Sequence, residues 1–475
     1  MTEDKLFDVP NKKGFLLLLA AFWLLAFVWP LPHTIALRNI LLAIVVIFCF
    51  PRGRWREVVH KTRKAVAWPM RFYLAFTGWI VFVAAFVSPF PAWSFSEINS
   101  QWLTAFLALY LGVVFALAED NGATAKLALQ LFLSALVLHV LVLDGQGLWL
   151  SIRNGGVPEM ARLTGLLAGP GKGDYITNFV LDACIAELSL RIEGKRFFVW
   201  PKWLLLSLIS VGLVAVYFEA KRNDLINLVT LLAFCLFILG RNRLGPITAG
   251  KLMGIVGAVS AVASLIVLDI MFDSRWDTLF ATIPIALAIH SHTAWLDPAH
   301  LPLPRLPNGT AVNGSNYLRI AWIRAGVGFV IHHPLGIGYG RSAFGHAMRL
   351  QYGAIARYLK SSNDTLVDTA VGTGVVGIFL WLAWLGSLAL HGWRRVWSRE
   401  DNFWARFILL LVLDAGLRSL VDSNLRNYTL SQFAFLIGLA APLAVPQRVA
   451  LATAEMVARS SNEQGGLEKS GEMGR

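Results

Sequence analysis

The stretch Gly14–Leu31, GFLLLLAAFWLLAFVWPL, carries no charged side chain and is close to the roughly 20 mostly apolar residues that cross a bilayer. Inside a membrane every backbone N–H and C=O must be satisfied within the protein, so a run of this kind is predicted as a transmembrane helix. The preceding MTEDKLFDVPNKK lacks the arrangement of a cleavable leader, and further apolar runs follow at once. Residues from Gly14 onward therefore read as a first span and not as a signal peptide.

Working outward, apolar runs broken by Pro, Gly or charge recur near 14–31, 34–50, 67–88, 101–118, 125–144, 175–191, 202–218, 223–240, 249–272, 365–392, 403–421 and 428–445. Composition agrees, because the 475 residues are 56% hydrophobic and only 15% charged, where an average soluble chain has about 25% charged residues. A soluble globular enzyme, a disordered chain, a collagen and a disulfide scaffold are excluded. The fold class predicted is an all-α polytopic membrane protein of about 12 transmembrane helices, with a large periplasmic loop between helices 9 and 10. The expected organisation is an N-terminal transmembrane bundle over 1–271 and a periplasmic loop or subdomain over 272–364. Transmembrane helices over 365–445 and a disordered cytoplasmic tail over 446–475 follow. Within the loop, ATIPIALAIH (281–290) is too short to cross and suits a re-entrant or interfacial piece.

The net charge of +13 would raise nucleic acid as a partner in a soluble protein, but here placement decides. With the N-terminus inside, the short inner connections hold Arg52, Arg54, Arg56, Lys61, Arg63 and Lys64, then Lys126, Lys195, Arg196, Lys202, Arg241, Arg243, Lys251, Arg394, Arg395 and Arg399. The outer connection Pro89–Ser100 has no Lys or Arg. The positive-inside rule therefore predicts both termini in the cytoplasm, and no nucleic acid is expected. Cys49, Cys184 and Cys235 each sit in an apolar run and show neither metal spacing nor a disulfide pattern.

Basic residues on the outer side break this rule and so carry the information. Arg222 with Lys221 closes an apolar run as YFEAKRNDL, Arg162 and Lys172 flank LTGLLAGPG, and Arg319 lies in NYLRIAWIRAGVGFVIHHPLGIGYGRSAF (316–344). Snorkelling with a local ion pair explains Lys221 and Arg222 as well as any ligand does. The sharper reading is that the arginines converge on an anion at the outer boundary, such as a lipid-linked pyrophosphate, since guanidinium matches phosphate bidentately and stays charged when desolvated. Gly336, Gly338 and Gly340 alternate with apolar residues and Tyr339 before Arg341, without the Gly-Lys-Ser/Thr ending of a phosphate-cradling loop. The adjacent His332 and His333 are candidate general bases. In SSNDTLVDTAVGTGVVG (361–377), Asn363 or Asp364 suffices as a helix N-cap, and Asp364 is also a carboxylate placed to take a hydroxyl proton. Gly372, Gly374 and Gly377 are expected to serve close helix packing. Asp182 and Glu187 fall inside a predicted span, where a proton path and simple neutralisation, for instance by Arg191, are both open.

At these residues the sequence resembles the O-antigen ligase and polymerase superfamily of bacterial inner-membrane glycosyltransferases. Arg162 with LTGLLAGPG, Arg222 in EAKRNDLINL, Arg319 and Trp322 with HPLGIGYGRSAF, and NDTLVDTAVGTGVVG are similar, in order, to four family patches. The family's His-Asn pair falls on Asn363 and Asp364, leaving His333, His332 or Asp364 for the catalytic role. The resemblance implies transfer of a glycan from undecaprenyl diphosphate to an acceptor hydroxyl in the periplasm, without nucleotide sugar or metal; the mechanism expected is an inverting displacement with no cofactor. In the ligase branch the acceptor is the lipid A core oligosaccharide. Arg162, Arg222, Arg319, Lys172 and Lys221 would hold the diphosphate, and Tyr339, Arg341 and Asn363 would face sugar or acceptor. A polymerase or protein O-oligosaccharyltransferase of the same superfamily differs in its acceptor. A transporter or flippase would instead predict internal repeats and polar residues spread through the bilayer.

Overall fold

The computed structural model describes residues 12–50, 55–118, 122–155, 163–167, 173–219, 222–241, 256–257, 259–260, 263–264, 267, 278–398, 402–423 and 425–444. The chain is all-helical, at 76% helix, and the described residues contain no strand. The helices are α1 (Lys12–Val28), α2 (Ile35–Phe48), α3 (Trp55–Phe82), α4 (Pro91–Glu97), α5 (Thr104–Ala116), α6 (Ala123–Arg153), α7 (Asp174–Ile192), α8 (Lys202–Glu219) and α9 (Arg222–Arg241). They continue as α10 (Leu279–Leu287), α11 (Gly314–His332), α12 (Ala343–Tyr352), α13 (Thr365–Trp397), α14 (Phe403–Arg418) and α15 (Tyr428–Leu443). A π-helical turn, Val83–Val87, extends α3, and another, Ile98–Leu103, joins α4 to α5.

Each apolar run noted in the sequence overlaps one of these helices except 249–272, which falls largely outside the described residues, as does the tail 446–475. Among the described residues, five helical stretches are long and apolar enough to cross a membrane: Val66–Val87, Pro91–Ala116, Ala123–Arg153, Lys202–Glu219 and Thr365–Trp397. Shorter apolar helices such as Ile35–Phe48 and Tyr428–Leu443 accompany them. With Phe86 79% and Val199 88% exposed, apolar side chains face outward as a lipid-contacting surface requires.

The helix ends sort into two poles. At one, Phe197 stacks on Phe403 at 4.1 Å, Arg406 pairs with Glu193 at 2.5 Å, and Asn402 donates to the Leu443 carbonyl. At the other, Ser88 donates to the Ile337 carbonyl, Arg341 pairs with Glu97, and Arg418 pairs with Asp174. Glu187 belongs to the first pole, where it accepts from Arg191 Nε at 2.6 Å and from the backbone of Phe197 and Phe198. The arginine neutralises it, so Glu187 closes a turn.

Residues 278–371 build a second apolar core around Trp295, Tyr317, Trp322, Phe344 and Met348, separate from the main bundle core. Trp322 Nε1 donates to the Trp295 carbonyl and Tyr317 to that of His292, which ties α11 to the irregular 288–313 segment. Helix α10 has nine residues, too few to cross.

Candidate active site

Helix α13 starts beside the second core and then breaks. Asp364, extended at φ −137 and ψ 121, caps it by accepting from Val367 N at 2.9 Å. Of the two capping choices open in the sequence, Asp364 is the cap, and Asn363 turns the chain before it at φ 56. At Gly374 the backbone takes φ 69 and ψ −170, values that cost a side-chain-bearing residue roughly 1–3 kcal/mol. The loop 334–341 enters that break: Ile337 N donates to Val371 O, Gly338 N to Gly372 O, and Val375 N to Pro334 O. A Cβ on Gly336, at φ 79, would lie 2.5 Å from the Gly372 carbonyl. Gly374 is thus a helix interruption that receives a loop, and not the helix-packing residue expected.

Loop 334–341 ends on a clamp. Arg341 donates from Nε and Nη2 to the Glu97 carboxylate at 2.9 and 2.7 Å, and from Nη1 to Asn427 Oδ1 at 2.8 Å. Its backbone N–H also reaches Glu97 Oε2. The hydrogen bonds to Glu97 raise the Arg341 pKa further above its ordinary value. Gln101 donates to the same carboxylate and accepts from Asn427 N. Tyr339 packs edge-on against Trp102 and Phe76, and burial raises its hydroxyl above the usual tyrosine range.

Between this clamp and the start of α13 lies a small cleft with a volume of about 40 Å³. Its walls include Tyr339, Arg341, Thr365, Asp368, Ser423 and Arg426. Asp368 accepts from the backbone N and Oγ of Ser362, both at 2.8 Å, and from Ser423 Oγ at 3.2 Å. Arg426 lies in no motif that the sequence marks out. Its role at the wall, like that of Asp368, comes from segment 419–427 folding over α13, where Thr365 donates to Asp422 O.

Arg319 projects from α11 onto the same segment and donates to Val421 O at 2.9 Å. It lies close enough to Asp364 to favour the carboxylate form, yet burial dominates and the Asp364 pKa stands above the usual carboxylate value. Contacts continue from there: Tyr175 donates to Asp422 at 3.1 Å, Arg418 lies 4.5 Å over the Tyr175 ring and pairs with Asp174, and Thr177 donates to Glu219 at 2.9 Å. Leu163 N donates to Phe218 O, and Gly173 sits against Glu219 Oε1. Arg162, Lys172 and Lys221 lie outside the described residues, and Arg222 is placed by its backbone as the first residue of α9.

His332 and His333 stand apart. They close α11 thirteen residues after Arg319, about 20 Å along the axis at ~1.5 Å per residue. Both are exposed; His332 bonds the Gly328 carbonyl and His333 stacks on Phe329 at 4.3 Å. The structure brings Arg319, Asp364, Asn363, Tyr339 and Arg341 to one pole around the cleft and its rim, and does not bring the histidines to Arg319. Among the described residues no group of three or more His, Cys, Asp or Glu is arranged to hold a metal ion.

Residues 205–382 match the family model described as O-Antigen ligase. That segment runs from α8 to α13 and includes Arg222, Arg319, the loop 334–341, Asn363 and Asp364. Comparison with curated proteins returns no match. The match supports the O-antigen ligase/polymerase superfamily and a glycosyltransferase-type activity in a multi-pass membrane protein.

Proposed function

We propose that this chain, as a member of the O-antigen ligase/polymerase superfamily, transfers a glycan from undecaprenyl diphosphate to the lipid A core oligosaccharide. The reaction takes place on the periplasmic side of the inner membrane. The observation that carries the reading is the grouping of Arg319 and Asp364 with the cleft residues Arg341, Asp368 and Arg426 at one pole, within or beside the family-matched segment. Both termini then lie in the cytoplasm, as the inner Lys and Arg residues favour.

In this mechanism Arg319, Arg222, Arg162, Lys172 and Lys221 hold the diphosphate, with Arg426 as a further cation. Their charge strengthens the interaction as the leaving oxygen gains an electron pair, so binding favours the transition state over the ground state. The acceptor hydroxyl oxygen attacks the anomeric carbon from the opposite face, the C–O bond to the diphosphate breaks, and the configuration inverts. Asp364 takes the hydroxyl proton, which its raised pKa suits. Tyr339, Arg341 and Asn363 border the sugars. The separation of His332 and His333 from Arg319 favours Asp364 over either histidine as the base.

The lipopolysaccharide gel profile of a deletion strain tests this. Loss of all polymer-bearing bands with full-length lipid-linked glycan accumulating, restored by the wild-type chain but not by Arg319→Ala, is expected. Survival of single-repeat bands would reassign the chain as a polymerase, and an unchanged profile would overturn both readings.

A further inference from the structure

A second cavity lies at the opposite pole, between α3 and α13, with a volume of about 550 Å³. Two backbone irregularities of α3 lie at its wall. Val66 leaves helical geometry at φ −135 and ψ 43, and Pro69, inside the same helix, removes a backbone donor. The cavity is lined on the α3 side by this irregular stretch, Val66 to Phe72, and on the α13 side by Ser387 to Arg395.

Its wall has two chemistries. Arg394 and Arg395 line one part with His391, whose Nε2 bonds the Ala441 carbonyl. Trp68, Phe72 and Leu390 line the other. Arg394 is exposed and makes no hydrogen bond or ion pair among the described residues. Trp68 is 63% exposed and carries Arg71 over its ring at 5.0 Å, while Trp393 and Trp397 stack outside on Phe237. Exposed tryptophans beside arginines on apolar helices are the residues that settle at a headgroup boundary.

We propose that this cavity binds an anionic glycerophospholipid. The phosphate sits on Arg394 and Arg395, and the acyl chains run down the apolar wall made by Trp68, Phe72 and Leu390. Charge complementarity selects the headgroup: a guanidinium without a protein partner at the membrane boundary gains most from a phosphate, which it can hold bidentately. The apolar half excludes a free anion as the natural occupant, because inorganic phosphate would leave the tryptophan and leucine wall uncovered. The site is independent of the transfer reading.

The test uses the full-length chain in detergent, delipidated and then offered dioleoylphosphatidylglycerol, dioleoylphosphatidylcholine or inorganic phosphate, with bound lipid counted by native mass spectrometry. Retention of the glycerol lipid over the choline lipid by roughly tenfold or more is expected, with no displacement by phosphate. Arg394→Ala with Arg395→Ala lowers that retention roughly tenfold. Leu390→Trp, which leaves both charges in place and fills the apolar side, lowers it as well. Equal retention of the two lipids, displacement by inorganic phosphate, or unchanged retention in the folded variants overturns the proposal.

Discussion

The inner ends of α7 and α14 and the outer region around α11 and α13 use the same residue types to opposite effect. At the first, each carboxylate has a cation or a row of backbone donors: Glu187 takes Arg191 and two N–H groups, and Glu193 takes Arg406 and Lys195. Stacked Phe197, Phe198, Phe403 and Trp404 seal the gaps. At the second, Arg341 and Arg418 also have carboxylate partners, but Arg319 rests on a backbone carbonyl, Arg426 faces the cleft, and Asp364 is buried enough to bind its proton more tightly than usual. Charge at a membrane boundary is structural where its partners are fixed protein groups. It is available for chemistry where carbonyls and open space leave it unneutralised.

The strongest way to break this contrast is to remove one cation from each region. Arg319→Ala is expected to lower transfer by about 10²–10³-fold, the usual loss for one donor aimed at developing charge, at unchanged protein level. Arg196→Ala, exposed at the other pole, is expected to leave transfer within about threefold, a neutral surface change. Equal losses in a transfer assay on membranes would end the distinction.

Asp364→Asn sharpens it. Asparagine keeps the N-cap, so only the proton chemistry changes, and transfer should fall about a hundredfold. The wild-type rate should rise with pH through a value above the ordinary carboxylate range, and the variant should lose that limb. The stability effect has the opposite sense. The folded Asp364 binds its proton more tightly than the unfolded chain does, so its contribution to stability falls as pH rises from about 4 through the folded value. The penalty remains at neutral pH. Thermal unfolding at pH 7 should therefore show the Asn variant at least as stable as the wild type, and a clearly less stable variant would mean that the carboxylate is doing structural work.

Arg341→Ala is next in size, at about 2 kcal/mol of stability, because its partners lose charge-assisted hydrogen bonds while the side chain is 39% exposed and Glu97 11%, so water replaces part of the loss. Glu97→Gln should cost less, since an amide can still accept from Arg341. Denaturant or thermal midpoints that rank them the other way would separate loop 334–341 from the clamp. The smallest effect is expected for His332→Ala and His333→Ala, each below about tenfold in transfer, under the roughly hundredfold lower margin of general-base loss. A loss matching Arg319→Ala would return the base to a histidine and bring the end of α11 into the site.

Much of the architecture follows from the chain alone. Runs such as Gly14–Leu31 and 428–445 carry their helical state in their composition, because a lipid-exposed backbone has no other way to satisfy its hydrogen bonds. The odd arginines of the outer segments, a helix cap at Asn363 or Asp364 and the family resemblance were legible for the same reason: each is a local departure from what a span or loop otherwise contains. The break at Gly374, the capture of Arg341 by Glu97 and the closure of the segment around Ser423 over Asp368 depend on contacts between residues far apart in the chain. Composition and spacing report what a segment must bury. Only packing decides which distant polar group meets it, and so which charges are neutralised and which remain to act.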